Sequence, residues 1–322
     1  VFDITTVSPD CFNDFAIKLY QWQLTHVPVY RDFVNKMYKK SLSVTQYENI
    51  PFLPIQFFKT HQVIAENMSP EITFTSSGTG GTVSSHYVAE TLHYHASFTN
   101  GFYRRYGHPD SYCIIALLPS YLERSGSSLI YMMQQLIKET KHPKSGFFIN
   151  QFDTINQIII DNELKAQKTI ILGVTYALLD WVQQWPGTIL QHTTVIETGG
   201  MKGQRKEMLR YEVHGIISQK LGIENIHSEY GMTELLSQAY SHGKGLFDTP
   251  PWMRILVRDP YDPAAVYAKN KYGAINIIDL ANQYSCAFIA TDDLGFVNDE
   301  GQFTISGRSD NSDIRGCNLM IY

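Results

Sequence analysis

Residues 73–85 read Thr-Phe-Thr-Ser-Ser-Gly-Thr-Gly-Gly-Thr-Val-Ser-Ser, a short strand-like start that runs into hydroxyls and glycines and then into a helical pattern. Such a stretch suits a phosphate. Gly78, Gly80 and Gly81 let the backbone take up positive φ and approach an anion, while Ser76, Ser77, Thr79 and Thr82 add hydroxyl donors. A helix starting just after the loop would add its free backbone N–H groups. A flexible Ser/Gly surface loop fits the same residues, so neighbouring motifs have to decide. It is not a Walker A loop, because no Gly-Lys-Ser/Thr follows and Gly243-Lys244-Gly245 does not supply one; nor does the glycine spacing match a dinucleotide fingerprint.

Far downstream lie Glu229-Tyr230-Gly231-Met232-Thr233-Glu234, then Thr291-Asp292-Asp293, then Gly307-Arg308. Taken singly, Glu234 reads as an acid opening a helix over 233–240, where it would suit the macrodipole, and Asp292-Asp293 read as turn residues. Together, in this order and spacing, these elements and the loop resemble the nucleotide-binding motifs of the adenylate-forming superfamily, which includes acyl-CoA ligases, luciferases and peptide-synthetase adenylation domains.

The resemblance implies ATP and Mg²⁺. The loop from Ser76 to Thr82, with Ser77, Gly78, Thr79, Gly80 and Gly81 within it, would hold the β- and γ-phosphates. Thr233 would contact the α-phosphate and Glu234 would hold Mg²⁺, a hard cation that takes carboxylate oxygen. Tyr230, followed by Gly231, would lie against adenine, beside the glycines Gly199-Gly200. Asp293 would accept from the ribose hydroxyls, assisted by Arg308 at a hinge. The implied fold is α/β, the large domain of these enzymes, with parallel sheets flanked by helices and a small β-barrel-like subdomain. It would occupy residues 1–306, β-rich from about 251, with a hinge and the remnant of a truncated C-terminal lobe at 307–322.

Two departures matter. Val83-Ser84-Ser85 stands where many relatives carry a lysine, and the sequence stops at Tyr322, short of the mobile lobe whose lysine serves adenylation in the superfamily. The shortened plan resembles one branch, the acyl-protein synthetases of bacterial fatty acid reductase complexes. The residues that carry this are Ile50–Lys59, Phe74–Gly80 and the ending Asp313-Ile314-Arg315-Gly316-Cys317. In that branch a cysteine near the C-terminus takes the acyl group from the adenylate, and Cys317 is the matching residue. A thiolate attacks an acyl phosphate readily, and Arg315 would favour the thiolate. The partners implied are a carboxylic acid, fatty by this resemblance, and an acyl-accepting reductase or carrier protein. Transfer to CoA, or nucleotide and acyl binding without catalysis, are the alternatives left open.

The elements that must position these residues show in the periodicity. Two amphipathic helices come first, with Phe12, Phe15, Ala16, Leu19 and Tyr20 on one face, then Tyr30, Phe33, Val34, Met37 and Tyr38 on the next. Asp10 would cap the first and Pro28 opens the second. The prolines of Ile50–Lys59 predict an extended connector. Apolar runs at 111–118, 146–150, 169–174, 193–197 and 225–228 alternate with helical patterns at 127–140, 154–166, 176–184 and 203–220. This predicts a largely parallel sheet under helices. After Pro250 short strands predominate, at 253–258, 273–279, 286–290 and 302–306, and predict an antiparallel or barrel-like part.

Composition sets the remaining bounds. At 322 residues, 43% hydrophobic and 18% charged, the chain is an ordinary globular one. A net charge of −5 leaves no electrostatic footprint for nucleic acid. The apolar runs at 114–118 and 170–182 are too short or too interrupted to span a bilayer. Four cysteines, Cys11, Cys113, Cys286 and Cys317, lack metal spacing or a disulfide framework, and with no signal peptide in view they fit a cytoplasmic protein. Cys286, in an apolar run, reads as core. Tyr121, Tyr131 and Tyr176 suit either an acyl tunnel or ordinary packing.

Overall fold

Burial of the first helical face needs an apolar partner, and the chain supplies it from its far end. The computed structural model describes residues 1–38, 44–76, 83–119, 126–199, 208–262, 265–267 and 269–308. They belong to two units, one made of Val1–Ser69 with the segment from Pro251, the other of Pro70–Pro250.

In the first unit, helix α1 (Phe12–His26) buries Phe12, Ala16, Leu19, Tyr20 and also Gln23, a residue the apolar pattern does not mark. Its amide donates to the Asn282 and Gln283 carbonyls at 2.9 Å, which makes a buried glutamine tolerable. Asp10 lies in a preceding 3₁₀ turn, Pro9–Cys11, and Cys11 takes the N-cap position instead. Helix α2 (Pro28–Met37) has its proline in the first turn, where no N–H is needed, and buries Tyr30 and Val34. The connector is extended only through its prolines. Strand β1 (Leu53–Pro54) pairs in parallel with the later strand Phe288–Val297, and then Phe57–Thr60 coils into the short helix α3, which buries Phe58.

The second unit begins with a hairpin, β2 (Ile72–Thr75) and β3 (Ser85–Val88), paired Thr75 to Ser85 and Ile72 to Val88. The helix expected directly after the glycine loop is therefore a strand, because His86 and Val88 alternate inward with period two. Helix α4 (Thr91–Tyr106) follows only later. Next come β4 (Cys113–Leu117), α5 (Ser128–Thr140), β5 (Gly146–Phe147), α6 (Phe152–Leu164), β6 (Thr169–Val174), α7 (Thr175–Gln183), β7 (Thr193–Thr198), α8 (Arg210–Leu221), β8 (His227–Tyr230), β9 (Ala239–Ser241) and β10 (Phe247–Asp248). Strands β5, β4, β6, β7 and β8 lie side by side in parallel, and β9 and β10 continue the sheet antiparallel. Every residue of β4 and β6 is buried, as a parallel sheet covered on both faces requires. The expected helix at 233–240 is likewise a turn and a strand. Tyr230 pairs with Ala239, so 231–238 closes a hairpin instead of coiling.

Back in the first unit, β11 (Met253–Arg258), β12 (Tyr272–Asp279), β13 (Phe288–Val297) and β14 (Phe303–Arg308) form an antiparallel sheet in that order. Strand β13 runs well past the expected 286–290. Asn276 faces Ala290 while Ala274 faces Leu294, so Thr291, Asp292 and Asp293 share a bulge opposite Ile275. They are strand residues at an irregularity, not a turn, and bulges of this kind re-aim side chains. Among the described residues no helix is long and apolar enough to cross a membrane.

Candidate functional site

The parallel strands β6, β7 and β8 end in one row, with Val174 beside Thr198 and Thr198 beside Glu229. Ligands of open α/β sheets collect beyond such carboxyl ends. Just past the row, Gly199 takes φ 69°, a left-handed conformation that glycine adopts without strain. Tyr230 ends β8, buried, with its ring edge-on to Phe247 at 6.0 Å. Gly231 follows for a spatial reason. A Cβ there would stand 2.6 Å from Glu229 Oε1.

Thr233 and Glu234 form the turn beyond, closed by the Leu235 N–H donating to the Met232 carbonyl at 3.1 Å. Glu234 is buried. The Thr233 carbonyl accepts from His86 Nδ1 at 2.9 Å, and His86 is fully buried on β3. That contact joins the Thr233-Glu234 turn to the hairpin whose two strands bracket the glycine loop. At the neck of the loop the Ser76 N–H donates to the Ser84 carbonyl at 3.0 Å and the Ser84 N–H donates to Ser76 Oγ at 2.9 Å. The Thr75 N–H donates to the Gly126 carbonyl at 2.8 Å. The neck is thus held from both sides. Ser77, Gly78, Thr79, Gly80, Gly81, Thr82, Gly200 and Cys317 lie outside the described residues.

Two carboxylates to which the motifs assign no role, Glu197 and Glu229, sit among these strand ends. Glu197 accepts from the Thr175 hydroxyl, with Arg210 Nε 3.7 Å and His214 Nε2 3.8 Å from Oε2. Burial pushes its pKa up, but His214, Arg210 and Thr175 outweigh it, and the group is held below the usual carboxylate range. Glu229 accepts only from Thr198 among the hydrogen bonds described. Burial pushes it up to about 7, Thr198 opposing and Glu197 adding to the rise. The neighbouring acids behave oppositely because Arg210 and His214 lie beside Glu197, whereas among the described residues Glu229 has no such neighbour acting on it comparably. A carboxylate at the end of an apolar strand, as in Val195-Ile196-Glu197, is the signal that could have marked the first of them.

In the other unit, Asp293 and Arg308 face each other across β13 and β14, and Arg308 Nε donates to Asp293 Oδ1 at 3.2 Å. Asp293 is buried while the Arg308 side chain is largely exposed. Asp292 Oδ1 accepts from Gln56 Nε2 at 2.6 Å.

Among the described residues no cluster of three or more His, Cys, Asp or Glu could hold a metal by itself. A magnesium ion on Glu234 would take one carboxylate and fill its shell with phosphate oxygen and water. Cys286 is fully buried and its thiol is pushed up to about 12, mainly by burial, as a core cysteine should be. Tyr131 packs against Tyr94 and Phe74, with centroids 5.7 and 5.6 Å away.

No family model matches the chain, and no curated protein matches its sequence. Solved structures do match its fold. ATP-bound MatB from Rhodopseudomonas palustris superposes with TM-score 0.57 over 73% of this chain and 47% of that one, at 19% identity. A 2-hydroxyisobutyryl-CoA ligase, solved in an open conformation with 2-HIB-AMP and CoA, superposes with TM-score 0.65 over 94% of this chain and 70% of that one, at 10% identity. The O-succinylbenzoate coenzyme A synthetase MenE from Bacillus subtilis, solved with ATP and magnesium ion, gives TM-score 0.53 over 76% and 51%, at 16% identity. The chain has the large-domain fold of adenylate-forming enzymes. It spans about half the length of MatB, at 47%.

Proposed function

We propose that the protein activates a carboxylic acid with ATP and Mg²⁺ as an acyl-adenylate, then passes the acyl group to Cys317 and on to a partner protein. The observation that carries the first step is the buried His86 contact, which ties the hairpin of the glycine loop to the Thr233-Glu234 turn. The substrate carboxylate oxygen attacks the α-phosphorus, the bond to the β-phosphate oxygen breaks, and pyrophosphate leaves. Little covalent help is needed, so positioning and electrostatics dominate. Magnesium, when bound, neutralises phosphate charge. The loop from Ser76 to Thr82 grips the β- and γ-phosphates, Thr233 donates toward the α-phosphate, and Glu234 supplies a metal ligand. Gly199, Gly200, Tyr230 and Gly231 face the base, and Asp293 with Arg308 takes the ribose.

In the second step the Cys317 thiolate attacks the acyl carbonyl carbon and AMP leaves, its departing oxygen keeping the electron pair. A fatty acid is the first substrate to try, and an acyl-accepting reductase or carrier the first partner. Incubation with ATP, Mg²⁺ and radiolabelled fatty acid is expected to give acyl-protein that neutral hydroxylamine strips, and Cys317→Ser is expected to abolish the label. Full labelling of Cys317→Ser would exclude that acceptor. The CoA ligases that share the fold favour a second reading, release to CoA, which acyl-CoA formation by the purified chain would support.

A further inference from the structure

The bulge that carries Asp293 is held by an arginine that no motif marks. Arg258 ends β11, half-buried, and its Nη1 donates to the Ile275 carbonyl and to Asn276 Oδ1, both at 2.8 Å. Its Nη2 donates to the Thr291 carbonyl at 2.7 Å. The Thr291 hydroxyl donates to the same Ile275 carbonyl at 2.8 Å and accepts from the Asp293 N–H at 3.2 Å. All of these anchors stand where the pairing of β12 with β13 slips between Ala274 and Asn276. A bulge strips backbone groups of their ladder partners. Here one planar fork satisfies carbonyls on both strands, a geometry that a lysine ammonium cannot reproduce.

The three bulge residues are each tied separately. Thr291 is held by Arg258, Asp292 by Gln56, and Asp293 by Thr291 on its backbone and Arg308 on its side chain. Arg258 thus reaches from β11 to both β12 and β13 at this point, and it acts on Asp293 through Thr291.

We propose that Arg258 is a positioning residue that locks residues 291–293 and so aims the Asp293 carboxylate at the ribose hydroxyls of the nucleotide, which sets the preference for ribose over deoxyribose. The inference rests on the adenylation reading at one point, Asp293 as the ribose acceptor. A carboxylate built to accept from a hydroxyl discriminates against an analogue lacking it, and misplacing the carboxylate erases that discrimination. A purely structural arginine would change stability and leave the preference intact.

The test is acid-dependent ATP–pyrophosphate exchange by the full chain, with ATP, 2′-deoxy-ATP and 3′-deoxy-ATP compared by kcat/KM. The wild type is expected to prefer ATP. Asp293→Asn should cut that preference by about tenfold or more, the scale of a hydrogen bond to a charged group. Arg258→Met should follow it, through a raised KM for ATP with kcat nearly kept, and Arg258→Lys should fall between. Thr291→Val removes the relaying hydroxyl at nearly constant volume and is expected to lose the preference as well, so it serves where Arg258→Met does not fold. If the preference survives in folded Arg258→Met, or in Thr291→Val, while Asp293→Asn loses it, the inference falls and the adenylation reading stands. If the wild type shows no exchange, or Asp293→Asn leaves the preference unchanged, the reading falls and takes the inference with it.

Discussion

Thr233→Ala is expected to lower acid-dependent ATP–pyrophosphate exchange by roughly 10²–10³-fold, the usual cost of deleting one donor aimed at charge that develops in a transition state. The loss should fall on kcat, with KM for the acid little changed, because an interaction made mainly in the transition state leaves ground-state binding alone. The substitution spares the scaffold. The turn is held by backbone, through the Thr233 carbonyl on His86 and the Leu235 N–H on the Met232 carbonyl, and neither contact involves the Thr233 side chain. Circular dichroism and melting temperature should therefore match the wild type. Undiminished exchange in the variant would remove Thr233 from the chemistry.

The second large effect is one of stability. Glu229→Gln is expected to stabilise the protein by about 3 kcal/mol at pH 8 and by almost nothing at pH 4, since each tenfold change in proton affinity between the folded and unfolded chain is worth about 1.4 kcal/mol. The sign follows from burial. The folded-state pKa of Glu229 is pushed up to about 7 from an ordinary value near 4.5, so the folded form holds a proton that the unfolded chain releases. Its neutral form is fully compatible with the fold below pH 4.5, and stability is lost as pH rises from there through 7. Glutamine mimics the protonated acid and still offers Thr198 an oxygen. Urea unfolding of both proteins from pH 4 to pH 8 measures the difference. Curves separated by a constant amount would show that Glu229 does not titrate in this window.

Much of the fold was legible because its signals are local. In Thr169–Val174 six residues in a row are apolar or small and all are buried, so the apolar run and the strand β6 coincide. Helices α1 and α2 follow from periodicity, and the short strand-like run Met253–Arg258 coincides with β11. The misreadings have a common cause. At 83–88 and at 233–240 the runs are too short to separate helix from strand or turn, and the pairing of Ser85–Val88 with β2 and of Ala239 with Tyr230 decided against helix. The site divides the same way. As candidates, Thr233, Glu234 and Asp293 could be nominated from residue type and order. The contacts of His86 and Arg258 could not, because they exist only after folding. His86 lies 147 positions from the carbonyl it holds.

A crystal structure of the chain with ATP and Mg²⁺ tests most directly whether these separated segments grip one nucleotide. The expected result has the β- and γ-phosphates inside the loop of residues 76–82, the metal ion on Glu234 and the ribose hydroxyls on Asp293. A nucleotide bound elsewhere, or Ser77, Glu234 and Asp293 turned toward unrelated regions, would contradict it.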